Sequence, residues 1–265
     1  MLNKSKDVAR LTFLGTGTSQ GVPVIACPCE VCHSCDEHDK RLRTSALLEV
    51  NGKVLLFDAG PDFRQQLLRY NVQQLDAILL THEHKDHTGG IDDVRAFNLV
   101  MGKPVEIYGE KRVCQAVKHD FAYAFSDEKY PGVPEINLNV ISNASFTAAG
   151  LRVEPIRVNH FKLPIYGYRM GSFAYVTDAN YIPPESMEKL KGLDVLVLNA
   201  LRKEKHISHF TLAEALEIIA ILKPKRAYLT HLSHQMGFHK EVEKELPDNV
   251  HIAYDGLELE INGVV

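Results

Sequence analysis

The sequence predicts an α/β protein in which two β-sheets pack face to face, with helices on the outside. Apolar runs of strand length recur along the 265 residues and alternate with amphipathic stretches of helical period. Several of these runs end in a His or an Asp, at positions 82, 160, 178 and 231. The length suits one large α/β domain or two modest ones, and no linker separates independent units. We therefore expect ligand residues gathered at one sheet edge.

Composition and charge argue against several classes of function. The net charge of −4 gives no electrostatic case for binding nucleic acid or an acidic membrane. Residues 1–7 lack the apolar core of a signal peptide, and no run approaches the ~18 apolar residues that span a bilayer. We expect a soluble, cytoplasmic protein without a membrane partner. The sequence is silent on oligomeric state, and a homodimer stays open.

The first strand is predicted over residues 10–14, followed by a glycine-rich loop over 15–21. This loop lacks the third glycine of a dinucleotide fingerprint, because Gln20 stands there and no helical period follows. A close backbone turn near the active site explains the glycines better. Strands over 44–49 and 53–57 flank Asn51-Gly52, a strong hairpin signal. Asp58 ends the second strand, either orienting a ligand histidine or capping the helix predicted over 63–70.

Four cysteines lie close together in the sequence, at Cys27, Cys29, Cys32 and Cys35. This clustering does not suit a disulfide framework, whereas thiolates two and three residues apart can bind one tetrahedral zinc ion. The four could complete a site alone, but a nine-residue span is cramped for that. A ligand from elsewhere would instead hold the loop against the body, and free thiols are the remaining alternative. Cys114 is expected to be a small buried side chain in a helix.

The main candidate site is the segment 81–90, which follows the apolar run 77–80. His82 and His84 point the same way if the segment is extended, because side chains alternate along an extended chain. Asp86 and His87 follow as the chain turns. One loop could therefore supply two ligands to each of two metal ions. The alternative is a solvated polar loop with scattered histidines.

The rest of the chain continues the same alternation. Helices are predicted over 92–100, 111–125, 211–222 and 237–246. Strands are predicted over 105–108, 136–158, 166–170, 172–177, 193–198, 226–229, 250–254 and 257–261. The last two of these strands are expected to close the sheet. His160, Asp178 and His231 each follow a strand, and His209 precedes the third of these helices. Arg202, Lys203 and Lys205 are interpreted as a solvated charge run, with attraction of phosphate as the alternative.

The pattern His82-x-His84-x-Asp86-His87, with His160, Asp178 and His231 following in that order, resembles the metallo-β-lactamase superfamily. The likeness covers most of the chain, and all seven positions hold the expected residue types. It implies a single αβ/βα four-layer sandwich domain over residues 1–265, with a zinc-binding loop at about 27–35. It also implies one metal site made by His82, His84 and His160, a second made by Asp86, His87 and His231, and Asp178 as a bridge.

Within the superfamily, the likeness is closest to the phosphoribosyl cyclic phosphodiesterases of the carbon–phosphorus lyase pathway. The segment 15–23 resembles their N-terminal loop, and Cys27-x-Cys29-x-x-Cys32 resembles their structural zinc loop. The likeness implies His234 as the fourth zinc ligand and His209 as an active-site residue. Cys35 departs from the family pattern and leaves the fourth ligand open between Cys35 and His234. We favour His234, because it would tie the loop to the sheet edge beside His231.

Ligands of this kind suit two divalent ions, manganese or zinc, in addition to the one structural zinc. Two such ions can share a hydroxide as nucleophile. The two ions would carry four positive charges, and Asp86, Asp178 and the hydroxide would offset three of them. The net charge of about +1 at the site would attract a phosphodiester monoanion. Asp86 would serve both as a ligand and in catalysis, while His209 would hydrogen-bond a phosphoryl oxygen or protonate the leaving alkoxide. A helix cap is the alternative role for His209.

We therefore expect a dinuclear metal-dependent phosphodiesterase that hydrolyses a small anionic phosphodiester, esters like ribose 1,2-cyclic phosphate included. One alternative is a tRNA 3′-end endonuclease of the same superfamily. Such an enzyme would need a basic surface and a long inserted arm that binds tRNA, whereas this sequence has a net charge of −4 and no spare long insertion. A thioesterase or lactamase-type hydrolase is a second, although Asp178 as a bridge suits phosphoester chemistry better. A metal-stabilised binding protein is a third and predicts an incomplete ligand set.

Overall fold

The computed structural model describes residues 8–128 and 130–265 and contains fourteen strands in that part of the chain. The strands are β1 (Val8–Gly15), β2 (Ser45–Val50), β3 (Lys53–Phe57), β4 (Ala77–Leu79), β5 (Val105–Glu110), β6 (Ile136–Ile141), β7 (Phe146–Ala148), β8 (Leu151–His160), β9 (Leu163–Met170), β10 (Phe173–Val176), β11 (Val195–Asn199), β12 (Arg226–Thr230), β13 (Val250–Ile252) and β14 (Glu258–Asn262).

Seven α-helices connect these strands within the described residues. They are α1 (Phe63–Arg69), α2 (Lys85–Thr88), α3 (Arg95–Met101), α4 (Lys111–Asp120), α5 (Pro184–Lys189), α6 (Leu212–Leu222) and α7 (His239–Val242). The longest, α6, begins at a capping box in which Thr211 and Glu214 each satisfy the other's backbone N–H. No helix in the described part of the chain is both long and apolar enough to cross a membrane.

The strands form two seven-stranded sheets. The first has the order β14-β1-β2-β3-β4-β5-β6, and the second has the order β13-β12-β11-β10-β9-β8-β7. Strands β3 to β6 of the first sheet run parallel to one another, as do β10 to β13 of the second. Strand β8 runs in the same direction as β10, because both are antiparallel to β9. Parallel strands end at the same edge of a sheet. The segments that follow β8, β10 and β12 therefore open on one edge of the second sheet.

Apolar side chains fill three layers, one between the sheets and one on the outer face of each. Strand β3 shows how the alternation of side chains divides them, because Leu55 and Phe57 enter the layer between the sheets while Val54 and Leu56 pack against helices. Phe57 stacks on Tyr175 of the opposite sheet, with ring centroids 4.7 Å apart. The helices of the second sheet cover its outer layer in the same way. The four-layer αβ/βα sandwich is thus confirmed.

Several local predictions are also confirmed. Asn51 and Gly52 form the hairpin turn at φ 52° and 71°. The glycine-rich loop is a site of close backbone approach, because a Cβ on Gly15 would lie 2.0 Å from the carbonyl oxygen of Arg43. Thr18 of this loop donates its N–H to Leu232 at 3.0 Å, which brings the loop beside the end of β12. Cys114 is buried in α4, as expected.

Three predictions about the elements are wrong. The last two strands do not close one sheet: β13 is the edge of the second, whereas β14 pairs antiparallel with β1, from Val8 opposite Asn262 to Thr12 opposite Glu258. The helix predicted over 237–246 is only the short α7 followed by a 3-10 turn at Glu243–Glu245. The helix predicted over 111–125 ends at Asp120. Strand pairing depends on distant partners, which local periodicity does not report.

Candidate active site

The ligand residues expected from the sequence lie at the ends of four strands, and Asp58 lies at the end of a fifth. His82 and His84 follow β4, whereas Asp86 and His87 lie on the one-turn helix α2 rather than in a loop. His160 is the last residue of β8, Asp178 lies two residues beyond β10, and His231 directly follows β12. Asp58 directly follows β3 in the first sheet. The two sheets thus bring residues from across the chain to one place.

Three of these residues have a backbone conformation that the sequence did not reveal. Asp58, Asp178 and His231 have φ values of 60°, 60° and 58°. Positive φ is uncommon outside glycine, and residues held there cluster at functional sites. No glycine marks these three positions. A pattern of residue types could therefore locate the candidate ligands but not the sharp turns that present them.

His82, His84 and His160 form the first ligand group. Each offers a ring nitrogen, and all three nitrogens lie within 4.8 Å of one another. His82 Nε2 lies 2.9 Å from His84 Nδ1. The other nitrogen of His160, Nδ1, lies 2.9 Å from the carbonyl oxygen of Ser208, which fixes the orientation of that ring. This group has the donor atoms and spacing for one divalent ion.

Asp86, His87, Asp178 and His231 form the second ligand group. His87 Nε2 lies 3.2 Å from Asp86 and 3.3 Å from Asp178, and His231 Nε2 lies 3.0 Å from Asp178. Bonds of 2.0–2.1 Å in a tetrahedral site place ligand atoms roughly 3.3 Å apart. Both imidazole nitrogens are buried without a hydrogen-bond partner. Buried polar atoms are normally satisfied, so a cation among these four side chains would complete their coordination.

Asp178 belongs to the second group and also lies near one member of the first. One of its oxygens lies 3.3 Å from His87, and the other lies 3.0 Å from His231 and 3.8 Å from His209. A carboxylate oxygen of Asp178 also lies within 4.8 Å of a ring nitrogen of His160, a member of the first group. This position between the groups is the one that a bridging ligand requires.

Asp58 lies behind the candidate ligands and contacts His87 directly and His82 through Thr81. It is fully buried and accepts a hydrogen bond from the backbone N–H of Thr81 at 2.8 Å. Its Oδ2 lies 2.7 Å from His87 Nδ1, which leaves Nε2 of that ring facing the site. The Thr81 hydroxyl donates to Asp58 and lies 3.0 Å from His82 Nδ1. Sequence reasoning identified Asp58 but missed Thr81, whose place directly before His82 was the available signal.

His209 faces the ligand groups and does not cap α6. Thr211 is the N-cap residue of that helix, so the capping alternative for His209 is wrong. The His209 ring centroid lies 4.7 Å from those of His160 and His231. Its Nδ1 is buried without a hydrogen-bond partner. The neighbouring Arg202 and Lys203 pair with Gln235 and Glu245, at 2.6 Å and 2.7 Å, at exposed positions. These contacts favour a solvated charge run over attraction of phosphate.

Burial and the neighbouring charges decide the protonation of the site. Burial alone would raise the pKa of Asp178, but His231 and His87 hold that pKa well below its usual range. Burial lowers the pKa of His82 well below its usual value, so the ring is neutral, which is the form that binds metal. Burial together with the charge of His231 lowers the pKa of His209 to about 2. A neutral His209 ring can donate one hydrogen bond to a ligand.

A separate cluster joins the cysteine loop to the end of β12. His234 Nδ1 lies 3.3 Å from the Sγ of Cys27, 3.2 Å from that of Cys29 and 3.5 Å from that of Cys32. Zinc bonds of 2.3 Å to sulfur and about 2.0 Å to nitrogen give a separation of roughly 3.5 Å in a tetrahedral site. Cys35 is exposed and stands outside this cluster. The structure therefore brings His234, rather than Cys35, to the three thiols.

Comparison with known proteins agrees with this architecture. The family model described as a β-lactamase superfamily domain matches residues 53–232, which span the strand ends of all seven ligand positions. A crystal structure described as a new diphosphatase from the PhnP family has a TM-score of 0.91 and 42% sequence identity. The alignment covers 97% of this chain and 98% of that one. Fold and sequence are therefore similar over essentially the whole chain.

Two curated relatives are longer proteins. The chain is 43% identical, over 94% of its residues, to an octanoyltransferase of Porphyromonas gingivalis, of which it spans 51%. It is 25% identical, over 74% of its residues, to a ribonuclease Z of Methanococcus maripaludis, of which it spans 57%. The chain thus spans about half the length of these relatives. Taken with the family model and the similar diphosphatase, the arrangement of the strand ends shows that the chain belongs to the metallo-β-lactamase superfamily of metal-dependent hydrolases, close to the PhnP family.

Proposed function

We propose that the protein is a dinuclear metal-dependent phosphodiesterase that hydrolyses a small phosphodiester, cyclic esters like ribose 1,2-cyclic phosphate included. The observation that carries this proposal is the position of Asp178, whose carboxylate lies between two groups of ligand residues. Two ions that share one carboxylate lie close enough to act on the same phosphate. The similar diphosphatase of the PhnP family supports chemistry at phosphorus.

The proposed ligands divide as the structure groups them. His82, His84 and His160 would hold one ion, Asp86, His87 and His231 would hold the other, and Asp178 would contact both. Manganese or zinc held by these residues would supply Lewis acidity and a nucleophile at neutral pH, because such ions lower the pKa of water towards ~7. Asp86 and Asp178 offset part of the metal charge without cancelling it, which favours an anionic substrate over a neutral thioester or lactam.

The other residues of the site position these ligands and the substrate. Asp58 would keep His87 and, through Thr81, His82 in the tautomers that present a free nitrogen to the ions. His209 is neutral at its lowered pKa, so it would donate a hydrogen bond to a phosphoryl oxygen rather than a proton to the leaving alkoxide. Its buried and unpartnered Nδ1 beside Asp178 supports a role towards a bound ligand.

A structural zinc is proposed for Cys27, Cys29, Cys32 and His234. The fit of their separations to a tetrahedral site supports this assignment. His234 lies three residues after His231, so the zinc would anchor the cysteine loop directly beside the second ligand group. Its proposed role is to stabilise that strand end rather than to take part in hydrolysis.

The test is metal analysis of the purified protein combined with a substrate panel. The protein is loaded with manganese or zinc and offered cyclic phosphodiesters, linear phosphodiesters, a thioester and a lactam. We expect turnover of one or more phosphodiesters that requires the metal and is lost with Asp178→Ala. Turnover of the thioester or lactam with no phosphodiester hydrolysed would overturn the proposal.

Cleavage at the 3′ end of tRNA is the second candidate, and the ribonuclease Z relatives favour it. The chain matches them more weakly than it matches the diphosphatase, and its net charge is −4. A precursor tRNA assayed beside the small phosphodiesters separates the two functions. Efficient cleavage of the precursor, with slow turnover of every small ester, would replace the first proposal by the second.

A further inference from the structure

Three exposed apolar side chains lie within three residues of His160, Asp178 or His209 in the sequence. Phe161 directly follows His160, and Tyr181 lies three residues beyond Asp178. Ile207 lies two residues before His209. Their exposed fractions are 46%, 51% and 66%, in the order Phe161, Tyr181, Ile207. We call these three side chains the apolar rim.

The backbone of the rim is tied together by one side chain, that of Asn180. Its Oδ1 accepts a hydrogen bond from the N–H of Phe161 at 2.7 Å, and its Nδ2 donates to the carbonyl of Ile207 at 3.2 Å. The carbonyl of Tyr181 accepts from the N–H of Asn159 at 2.9 Å. The rim is therefore held in a defined position relative to His160, Asp178 and His209.

Phe161 occupies a position where folding alone favours another residue. His160 pairs with Leu163, so Phe161 and Lys162 form the two-residue turn of the β8–β9 hairpin. Phe161 has φ 58°. Such turns favour glycine or asparagine where φ is positive, and a bulky residue there is an outlier. Because Phe161 stays half-exposed, burial does not offset this strain, and the aromatic ring points to a role in binding.

The chemistry of the rim suits a flat ring. Aromatic faces stack on planar groups of a ligand, such as nucleobases, which adds to the free energy of binding. An alkyl chain of a ligand would be stabilised only by burial of its apolar surface. The amino group of Lys162 lies over one face of the Phe161 ring, 5.4 Å from its centre, so a stacked ring would use the other face. We propose that the apolar rim binds a flat ring, such as a nucleobase, carried by the phosphate-containing substrate. This inference rests on the proposed function, because the phosphate would lie at the neighbouring ligand groups.

The test measures binding to the metal-loaded protein and does not depend on turnover. Adenosine 5′-monophosphate and ribose 5-phosphate share the ribose phosphate and differ in the base. We expect calorimetry to show adenosine 5′-monophosphate bound at least about fivefold more tightly, the lower end of the range for stacking one base. Phe161→Gly should remove this preference, leave the affinity for ribose 5-phosphate unchanged, and leave the melting temperature unchanged or higher.

The matched control removes an exposed apolar side chain of α6 far from the rim. Ile221 is 62% exposed and lies ten residues beyond Thr211, which is about 15 Å along the helix. Ile221→Ala should leave both affinities unchanged. Equal affinities in the wild type would overturn the inference, as would octyl phosphate bound as tightly as the nucleotide. A lower melting temperature for Phe161→Gly with the preference intact would also overturn it.

The two proposals fail in different ways. A preference for the nucleotide that depends on Phe161, with no phosphodiester hydrolysed, would support the rim and overturn the proposed phosphodiesterase. Hydrolysis of phosphodiesters without any preference for a ring would support the proposed phosphodiesterase and overturn the inference about the apolar rim.

Discussion

Asp58→Asn isolates the contribution of a carboxylate that touches no metal in the proposed site. The substitution keeps the volume of this fully buried side chain, and asparagine tolerates the φ of 60° found there. The amide oxygen can still accept from Thr81, which leaves the amide NH₂ facing His87 Nδ1. Two donors cannot pair, so the His87 ring must accept at Nδ1 and carry its proton on Nε2. That proton occupies the nitrogen proposed to bind the metal.

The expected loss follows from this change of tautomer. Removing the partner of a metal-bound histidine typically weakens metal binding by about 10- to 100-fold, which is about 1.4 to 2.8 kcal/mol. We expect competition with a chelator to show this loss for one of the two active-site ions, that of the Asp86, His87 and His231 group. The ion at the three histidines should be affected less, because Thr81 can still contact His82.

The control is Asp194→Asn, which removes a carboxylate paired with Lys225 at 2.8 Å on the surface. It should bind both ions as the wild type does, because exposed ion pairs contribute little. Equal affinity for both ions in Asp58→Asn and wild type would refute the argument that Asp58 sets the His87 tautomer. Elemental analysis of the dialysed proteins gives the stoichiometry that the competition assay needs.

Three further predictions concern the histidines and cysteines. His209→Ala should lower kcat by roughly 10²- to 10³-fold with unchanged metal content, because it removes one hydrogen-bond donor to a phosphoryl oxygen. The control His119→Ala, at an exposed position, should leave kcat unchanged. Wild-type kcat in His209→Ala would remove His209 from the mechanism. Cys29→Ser should lower bound zinc by one ion per chain and reduce the melting temperature. The control Cys35→Ser should change neither quantity, because Cys35 lies outside the cluster. Full zinc content in Cys29→Ser would contradict the proposed structural zinc site. Burial raises the pKa of the Cys114 thiol to about 11, so this thiol stays protonated at pH 8. Mass spectrometry should therefore find the exposed Cys35 alkylated by iodoacetamide long before the buried Cys114. Similar rates of alkylation would show that Cys114 is accessible.

The sequence was informative where local chemistry determines structure. Strand ends, the Asn51-Gly52 turn and the order of the ligand residues are visible because each depends on side-chain type and short-range period. The sequence was uninformative about the backbone at Asp178 and His231, where positive φ occurs without glycine. It also missed the pairing of β14 with β1, because contacts between chain ends leave no local pattern.

The pairing of β14 with β1 affects how the chain completes its fold. Strand β1 lies between β14 and β2, so without residues 258–262 one side of β1 has unpaired N–H and C=O groups. An open edge of this kind can pair with a strand of another molecule. A protein shortened before Glu258 would therefore keep all seven proposed ligands yet be prone to aggregate. During synthesis, the same edge of β1 stays open until residues 258–262 have left the ribosome.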